Sequence, residues 1–181
     1  MKQKRSLLFT ILFLTIVLVG CQTNGDEVVV HSSGNTGTVE KMPEIMPNDF
    51  NFSVSFGIGK KNEINTFNGT VTKDLITDGT KTISLMFSKE EMQAIYEKMK
   101  EIKIHEPKEF IPKKGCHKEP FEEDEWTIQI RGKTITLSIS WEYCDQTEDA
   151  TKFLNLRNYI FNLVKSKDAY KSLPNPSGGY E

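Results

Sequence analysis

The sequence predicts an α+β fold in which an antiparallel sheet of about five strands carries two helices on one side. Segments that alternate apolar and polar residues occur in two groups, one starting near residue 50 and one near residue 126. Within each group the segments are joined by turns, and a segment with helical spacing follows each group. Strands joined by turns pair as antiparallel neighbours, and the helices between and after them can then cover one face.

The first group of strands is expected to form a three-stranded meander. FNFSVSFGI alternates aromatic and aliphatic residues with Asn and Ser, which is typical of a half-buried strand. INTFNGTVTKDLI is more polar, and its Asn68-Gly69 pair predicts a bulge. KTISLMF directs Ile83, Leu85 and Phe87 inward. GKKN and TDGT supply the turns.

The remaining elements are a helix, a hairpin and a second helix. Ser88 and Glu91 form a capping box, and an apolar stripe from Met92 to Ile102 follows at helical spacing. WTIQI and TITLSISW flank RGK, a three-residue connection whose central glycine predicts a hairpin with a bulge. The second helix begins at Asp145 or Thr147 and shows one apolar face.

The first 21 residues have the features of a secretory signal. The apolar run from Leu7 to Val19 is shorter than the roughly 20 residues that a membrane-spanning helix needs. It follows Lys2, Lys4 and Arg5, which supply the positive start of such a signal. The run ends on a cysteine instead of the small-residue pattern of ordinary signals.

The ending Leu18-Val19-Gly20-Cys21 resembles the lipobox of bacterial lipoprotein precursors at all four positions. The resemblance implies cleavage between Gly20 and Cys21 and a diacylglyceryl group, with acyl chains such as palmitate, on the Cys21 thiol. It also implies a protein held at the cell membrane and facing the extracytoplasmic side. The alternative is a plain signal peptide with a chance cysteine. The meander and the tail LPNPSGGYE are similar to small uncharacterised lipoproteins of Gram-positive, spore-forming bacteria, which implies a location and no activity.

Composition divides the chain into four parts. Residues 1–20 are the signal peptide, and residues 21–48 form a lipid-anchored flexible tether rich in Gly, Ser, Thr, Asn and Pro. A chain of that length and composition has an r.m.s. reach of about 30 Å. Residues 49–173 form a single α+β domain, and residues 174–181 form an irregular tail.

Net charge limits the classes of partner. The full chain has 23 basic and 25 acidic residues, and removal of three basic residues with the signal leaves 20 against 25, a net charge of −5. A mildly acidic protein has no electrostatic reason to bind nucleic acid. The expected partners are therefore the membrane, through the lipid on Cys21, and an unknown envelope protein or small ligand.

The two other cysteines, Cys116 and Cys144, predict a disulfide because an even remainder outside the cytoplasm favours pairing. Zinc binding is the alternative, but paired ligands at short fixed spacing are absent. Cys116 lies in a proline-containing loop of about 20 residues from His105 to Glu125. Loops of that length inside a compact domain are often functional.

The function expected from these features is a non-enzymatic binding or interaction module. No catalytic motif, phosphate-binding loop, metal site or cofactor signature is recognisable. An envelope enzyme, hydrolase-like and with an unrecognised active site, is the alternative. The acidic run 122–125 is interpreted as a solvated turn. The candidate interaction surface comprises the loop and its neighbours, namely His105, His117, Trp126, Trp141 and Tyr143.

Overall fold

A computed structural model describes residues 41–181 of the chain. These residues contain one six-stranded antiparallel sheet with the strand order β4-β3-β2-β1-β5-β6. The predicted α+β class is confirmed. The strands are β1 (Asn51–Gly57), β2 (Asn62–Asn65), β3 (Thr70–Asp74), β4 (Thr80–Ser84), β5 (Glu123–Ile130) and β6 (Lys133–Ser140).

The sheet has six strands where about five were expected, because the second predicted strand is divided by a turn. Asn68 donates its backbone N–H to Asn65 Oδ1 at 3.1 Å, and Gly69 adopts a φ of 62°. A side-chain acceptor that mimics a backbone turn and a glycine with positive φ are both turn features. The chain therefore reverses here, and Ile64 of β2 lies opposite Val71 of β3.

The turn between β5 and β6 is also tighter than expected. Ile130 pairs directly with Lys133, so two residues form the loop instead of a three-residue bulged connection. Arg131 and Gly132 have φ values of 51° and 70°, the geometry that suits a two-residue hairpin. The Asp49 carboxylate accepts the backbone N–H groups of both turn residues, at 3.1 and 2.6 Å.

Two long helices and one short helix complete the fold: α1 (Lys89–Glu101), α2 (Glu148–Ser166) and α3 (Asp168–Lys171). The predicted capping box is confirmed, since Ser88 Oγ accepts the Glu91 N–H and the Glu91 carboxylate accepts the Ser88 N–H. Thr147 caps α2 by accepting the Ala150 N–H at 3.0 Å.

Both long helices pack on the same face of the sheet. The ring of Phe50, just before β1, meets Tyr96 of α1 edge-on at 5.0 Å. Trp126 of β5 meets Phe153 of α2 at 5.8 Å. The inward side chains of β1 and β5 are buried at every second position, as the period of two requires. The opposite face of these strands carries Ser, Thr, Asn, Gln and Glu.

Part of the predicted tether is packed against the folded domain. Met42 is 2% exposed, and the Tyr96 hydroxyl donates to the Pro43 carbonyl at 2.7 Å, so these two residues of the predicted tether are held against the domain. The predicted signal, Cys21 and the rest of the predicted tether lie outside the described residues. Within the described part, no helix is both long and apolar enough to cross a membrane.

The C-terminal tail has no helix or extended strand, but it is attached to the sheet. Ser177 forms an isolated parallel bridge with Ile76. The Tyr180 hydroxyl donates to Asp74 Oδ2, and the Lys73 ammonium donates to the Pro174 carbonyl at 2.7 Å. The tail therefore lies against the C-terminal end of β3.

Candidate binding surface at the disulfide end of the sheet

The end of the sheet at which β1 and β6 finish and β5 begins is here called the disulfide end. The long loop after α1 reaches this end and is held there by backbone hydrogen bonds. Its last part runs antiparallel to the segment after β6. The backbone hydrogen bonds are Trp141 N–H to Glu122 at 2.9 Å, Lys118 N–H to Glu142 at 2.8 Å and Cys144 N–H to Cys116 at 3.0 Å.

Cys116 and Cys144 close this extension of the hairpin. Their Cα atoms are 5.4 Å apart and they are placed at disulfide distance, 28 residues apart in sequence. The predicted pairing of Cys116 with Cys144 is therefore confirmed by their distance. Closing a loop of this length stabilises a fold by about 3–4 kcal/mol in the chain-entropy treatment. Among the described residues, no three His, Cys, Asp or Glu side chains are grouped as a metal ion would need.

The first part of the loop is held by apolar and polar anchors. Phe110 is buried and packs edge-on against Phe153 of α2 at 5.2 Å. The Glu109 N–H donates to Asp149 Oδ2 at 3.0 Å, and the Thr147 hydroxyl donates to the Glu109 carbonyl at 2.6 Å. The loop is thus fixed to the N-terminus of α2 at one point and to the hairpin at another.

His117, Glu142 and Tyr143 form an accessible polar and aromatic group beside the disulfide. The rings of His117 and Tyr143 are 4.9 Å apart and tilted by 52°. His117 Nδ1 lies 3.3 Å from Glu142 Oε2, and the His117 side chain is 61% exposed. Partial desolvation and the neighbouring Glu142 carboxylate raise the pKa of Tyr143, which remains a neutral hydroxyl donor near neutral pH. The group can stack on a planar ligand and both donate and accept hydrogen bonds.

Two residues of the predicted interaction surface are not at the surface. Trp126 is 0% exposed and Trp141 is 5% exposed. Trp126 points to the inward face of β5 and packs against Phe153 of α2. The indole Nε1–H of Trp141 donates to Asp124 Oδ1 at 2.8 Å. Their assignment to a binding surface was wrong, because both side chains follow the buried face of their strands.

His105 also lies apart from this group. It lines an open depression of about 420 Å³ at the C-terminal end of α1, together with Lys41, Lys100 and Lys103. His105 Nδ1 is buried and has no hydrogen-bond partner among the described residues. The structure therefore brings His117 and Tyr143 together and leaves His105 elsewhere.

A buried ion pair lies beneath the surface, and the sequence interpretation missed it. Arg157 Nη1 of α2 is 2.5 Å from Asp124 Oδ1 and 3.2 Å from Glu122 Oε2. The guanidinium lies 5.4 Å from the Phe56 ring centre and 5.5 Å from that of Trp141. Such stacking on aromatic faces is typical of arginine.

Burial controls the protonation of Asp124. Its side chain is fully buried, and its Oδ2 atom has no partner among the described residues. Burial raises the pKa of this carboxyl to about 6, against the opposing attraction of Arg157 and the hydrogen bond from Trp141. The acidic run is thus not the solvated turn that was expected. Asp124 points to the same inward face of β5 as Trp126 and Ile128. This alternation was the sequence signal from which the burial of Asp124 could have been predicted.

The buried pair positions the surface above it. Asp124 holds the Trp141 indole, Arg157 holds the Glu122 carboxylate, and the backbones of Trp141 and Glu122 form the first rung of the extended hairpin. Residues held by packing and hydrogen bonds keep a surface pre-organised, which lowers the entropy lost on binding. Comparison with protein-family models, curated proteins and solved structures finds no match for this chain.

Proposed function

We propose that this protein is a membrane-anchored extracytoplasmic lipoprotein that acts as a non-enzymatic binding module at the cell envelope. The observation that carries the anchor is the sequence Leu18-Val19-Gly20-Cys21 at the end of a short apolar run. The placement of Cys116 and Cys144 at disulfide distance supports it, because Cys21 is then the remaining thiol of the three. A pairing of this kind suits an oxidising compartment outside the cytoplasm.

The binding surface of this module is the group formed by His117, Glu142 and Tyr143. It is accessible, it combines an aromatic pair with a carboxylate, and it stands on backbone fixed by a hydrogen-bonded extension of the hairpin. Its partner is an envelope protein or a small ligand with a planar or hydroxyl-bearing group, and the acidic net charge gives no electrostatic reason to bind nucleic acid.

Capture from intact cells tests the binding role. Cells producing the full chain are treated with a membrane-impermeant crosslinker, and the captured species are compared for wild type and the His117→Ala/Tyr143→Ala variant. The matched control is Lys81→Ala/Thr82→Ala, which removes two exposed side chains from β4 at the far edge of the sheet. We expect a specific species to disappear from the first variant and to persist in the control.

Two results would count against the binding role. One is an unchanged capture pattern in the His117→Ala/Tyr143→Ala variant, and the other is equal loss in both variants. Cell fractionation tests the anchor separately. Cys21→Ser should remove the protein from the mature membrane-bound fraction, whether or not partner binding changes.

A further inference from the structure

The exposed apolar side chains of the described residues are concentrated at one end of the sheet. This end, at which β1 begins and the β2–β3 and β5–β6 turns lie, is here called the proximal end. Ile45, Phe67 and Met86 are 83%, 41% and 79% exposed. The fourth large exposed apolar side chain, that of Ile111, follows Phe110 in the loop anchored at the start of α2.

The strand register places Phe67 and Met86 at the same end, and Ile45 lies in the segment that leads into β1. Ile45 precedes β1, Phe67 lies in the β2–β3 turn and Met86 follows β4. A Cβ atom added to Gly69 would lie 3.4 Å from Met86 Cγ, so the β2–β3 turn and the segment after β4 are in contact. Phe67 and Met86 thus lie on neighbouring segments that are in contact, and Ile45 is exposed in the segment before β1.

Basic residues accompany these apolar side chains. Two exposed basic residues come from the start of the described chain and from the β5–β6 turn, namely Lys41 and Arg131. Two nearby carboxylates are already engaged: Glu44 with Lys100 at 2.9 Å and with Lys41 at 3.5 Å, and Asp49 with the backbone N–H groups of the β5–β6 turn. Apolar side chains with flanking cations are suited to the interface of a membrane with anionic lipids.

We propose that the proximal end rests on the membrane, with Ile45, Phe67 and Met86 in the interfacial layer and the basic side chains beside anionic headgroups. The inference rests on the proposed lipid anchor at Cys21. Only 19 residues separate Cys21 from Lys41, and they can span at most about 70 Å. A lipid on Cys21 therefore holds this end of the domain within about 70 Å of a bilayer, and a weak contact gains from the resulting effective concentration.

This orientation determines which way the binding surface faces. β5 and β6 have eight residues each, a length of about 26 Å at the usual rise per residue. With the proximal end on the membrane, His117 and Tyr143 at the disulfide end face away from it. The surface is then open to soluble partners or to partners in the cell wall.

Quenching of fluorescence by lipids tests the contact. The full chain is purified from membranes and placed in vesicles of phosphatidylglycerol and phosphatidylcholine with brominated acyl chains. Met86→Trp and Ile45→Trp report on the proximal end, and Ile111→Trp is the control at an exposed apolar position near the start of α2. Trp126 and Trp141 are buried in all variants, so the wild type supplies the background to subtract.

We expect blue-shifted, strongly quenched emission from the tryptophan introduced by Met86→Trp or Ile45→Trp, and little quenching from that introduced by Ile111→Trp. The mass of the N-terminal peptide is measured on the same samples. Lipid on Cys21 with equal or absent quenching at the three positions overturns the membrane contact alone. Absence of the lipid overturns the proposed anchor and the contact that rests on it. Thermal melting confirms folding, and either proximal variant is sufficient for the test.

Discussion

Replacing Arg157 tests whether the buried ion pair is charged and important for stability. Arg157→Met removes the guanidinium but keeps an apolar stem between Phe56 and Trp141. The Asp124 carboxylate then stays buried, with the Trp141 indole as its remaining donor. Removing one partner of a buried pair costs about 3–5 kcal/mol, a large part of the roughly 5–15 kcal/mol that stabilises a typical domain.

The loss should depend on pH, because protonation neutralises Asp124. Burial raises its folded-state pKa from 3.8 to about 6, so the folded protein binds this proton more tightly than the unfolded chain. The contribution of this group to stability is therefore greatest below about pH 4 and falls by about 3 kcal/mol as the pH rises past 6. Arg157 lowers the pKa of Asp124, so its removal raises that pKa further and widens the window.

Urea denaturation at about pH 5 and about pH 7.5 measures the effect. We expect Arg157→Met to lose more stability at the higher pH, where Asp124 would be charged in the wild type. The control is Lys152→Met on the same helix, whose exposed ion pair with Glu148 should contribute less than about 1 kcal/mol at either pH. The double variant Asp124→Leu/Arg157→Met should recover most of the loss.

Two outcomes would refute this reasoning. Equal losses for Arg157→Met at the two pH values would show that the Asp124 charge is not responsible. A double variant as unstable as the single one would show that the arginine acts through packing alone.

Three further predictions concern the elements that hold the surface. Cys116→Ser/Cys144→Ser should lower the free energy of unfolding by about 3–4 kcal/mol and speed amide exchange in residues 116–122, and unchanged melting would contradict this. Thr147→Ala should cost about 1–2 kcal/mol in chemical denaturation, because it removes both the cap of α2 and a hydrogen bond to the loop; a change below a few tenths would contradict this. Trp141→Phe removes a hydrogen bond that lowers the pKa of Asp124, so the pH dependence of stability should shift to higher pH; an unmoved profile counts against it.

Much of the fold was predictable because its signals are local. The alternation around Phe52 and Val54 defines a half-buried strand, and Ser88 with Glu91 marks a helix start without reference to the rest of the chain. The strand count differs by one because of the turn at Gly69, since a glycine inside a polar strand is compatible with both a bulge and a reversal. The register of Ile64 with Val71 across the turn decided the outcome.

The candidate site was predictable only in part, because its arrangement depends on contacts distant in sequence. The cysteine count favoured the pairing that the structure bears out, and Tyr143 lies next to one cysteine. The burial of Trp141 requires Asp124, 17 residues away, and Asp124 in turn requires Arg157, 33 residues away. An acidic residue in an acidic run resembles a surface residue until its cation is known. Met42 was missed for the same reason, since its burial depends on the folded core.

The anchor is the central claim of this account, and the mass of the N-terminal peptide tests it most directly. The full chain is isolated from the membrane fraction of cells that produce it, digested and analysed by mass spectrometry. We expect a mature N-terminus at Cys21 with a diacylglyceryl group on the thiol, and loss of that species in the Cys21→Ser variant. A wild-type protein whose mature chain begins elsewhere, or whose Cys21 is unmodified, would contradict it.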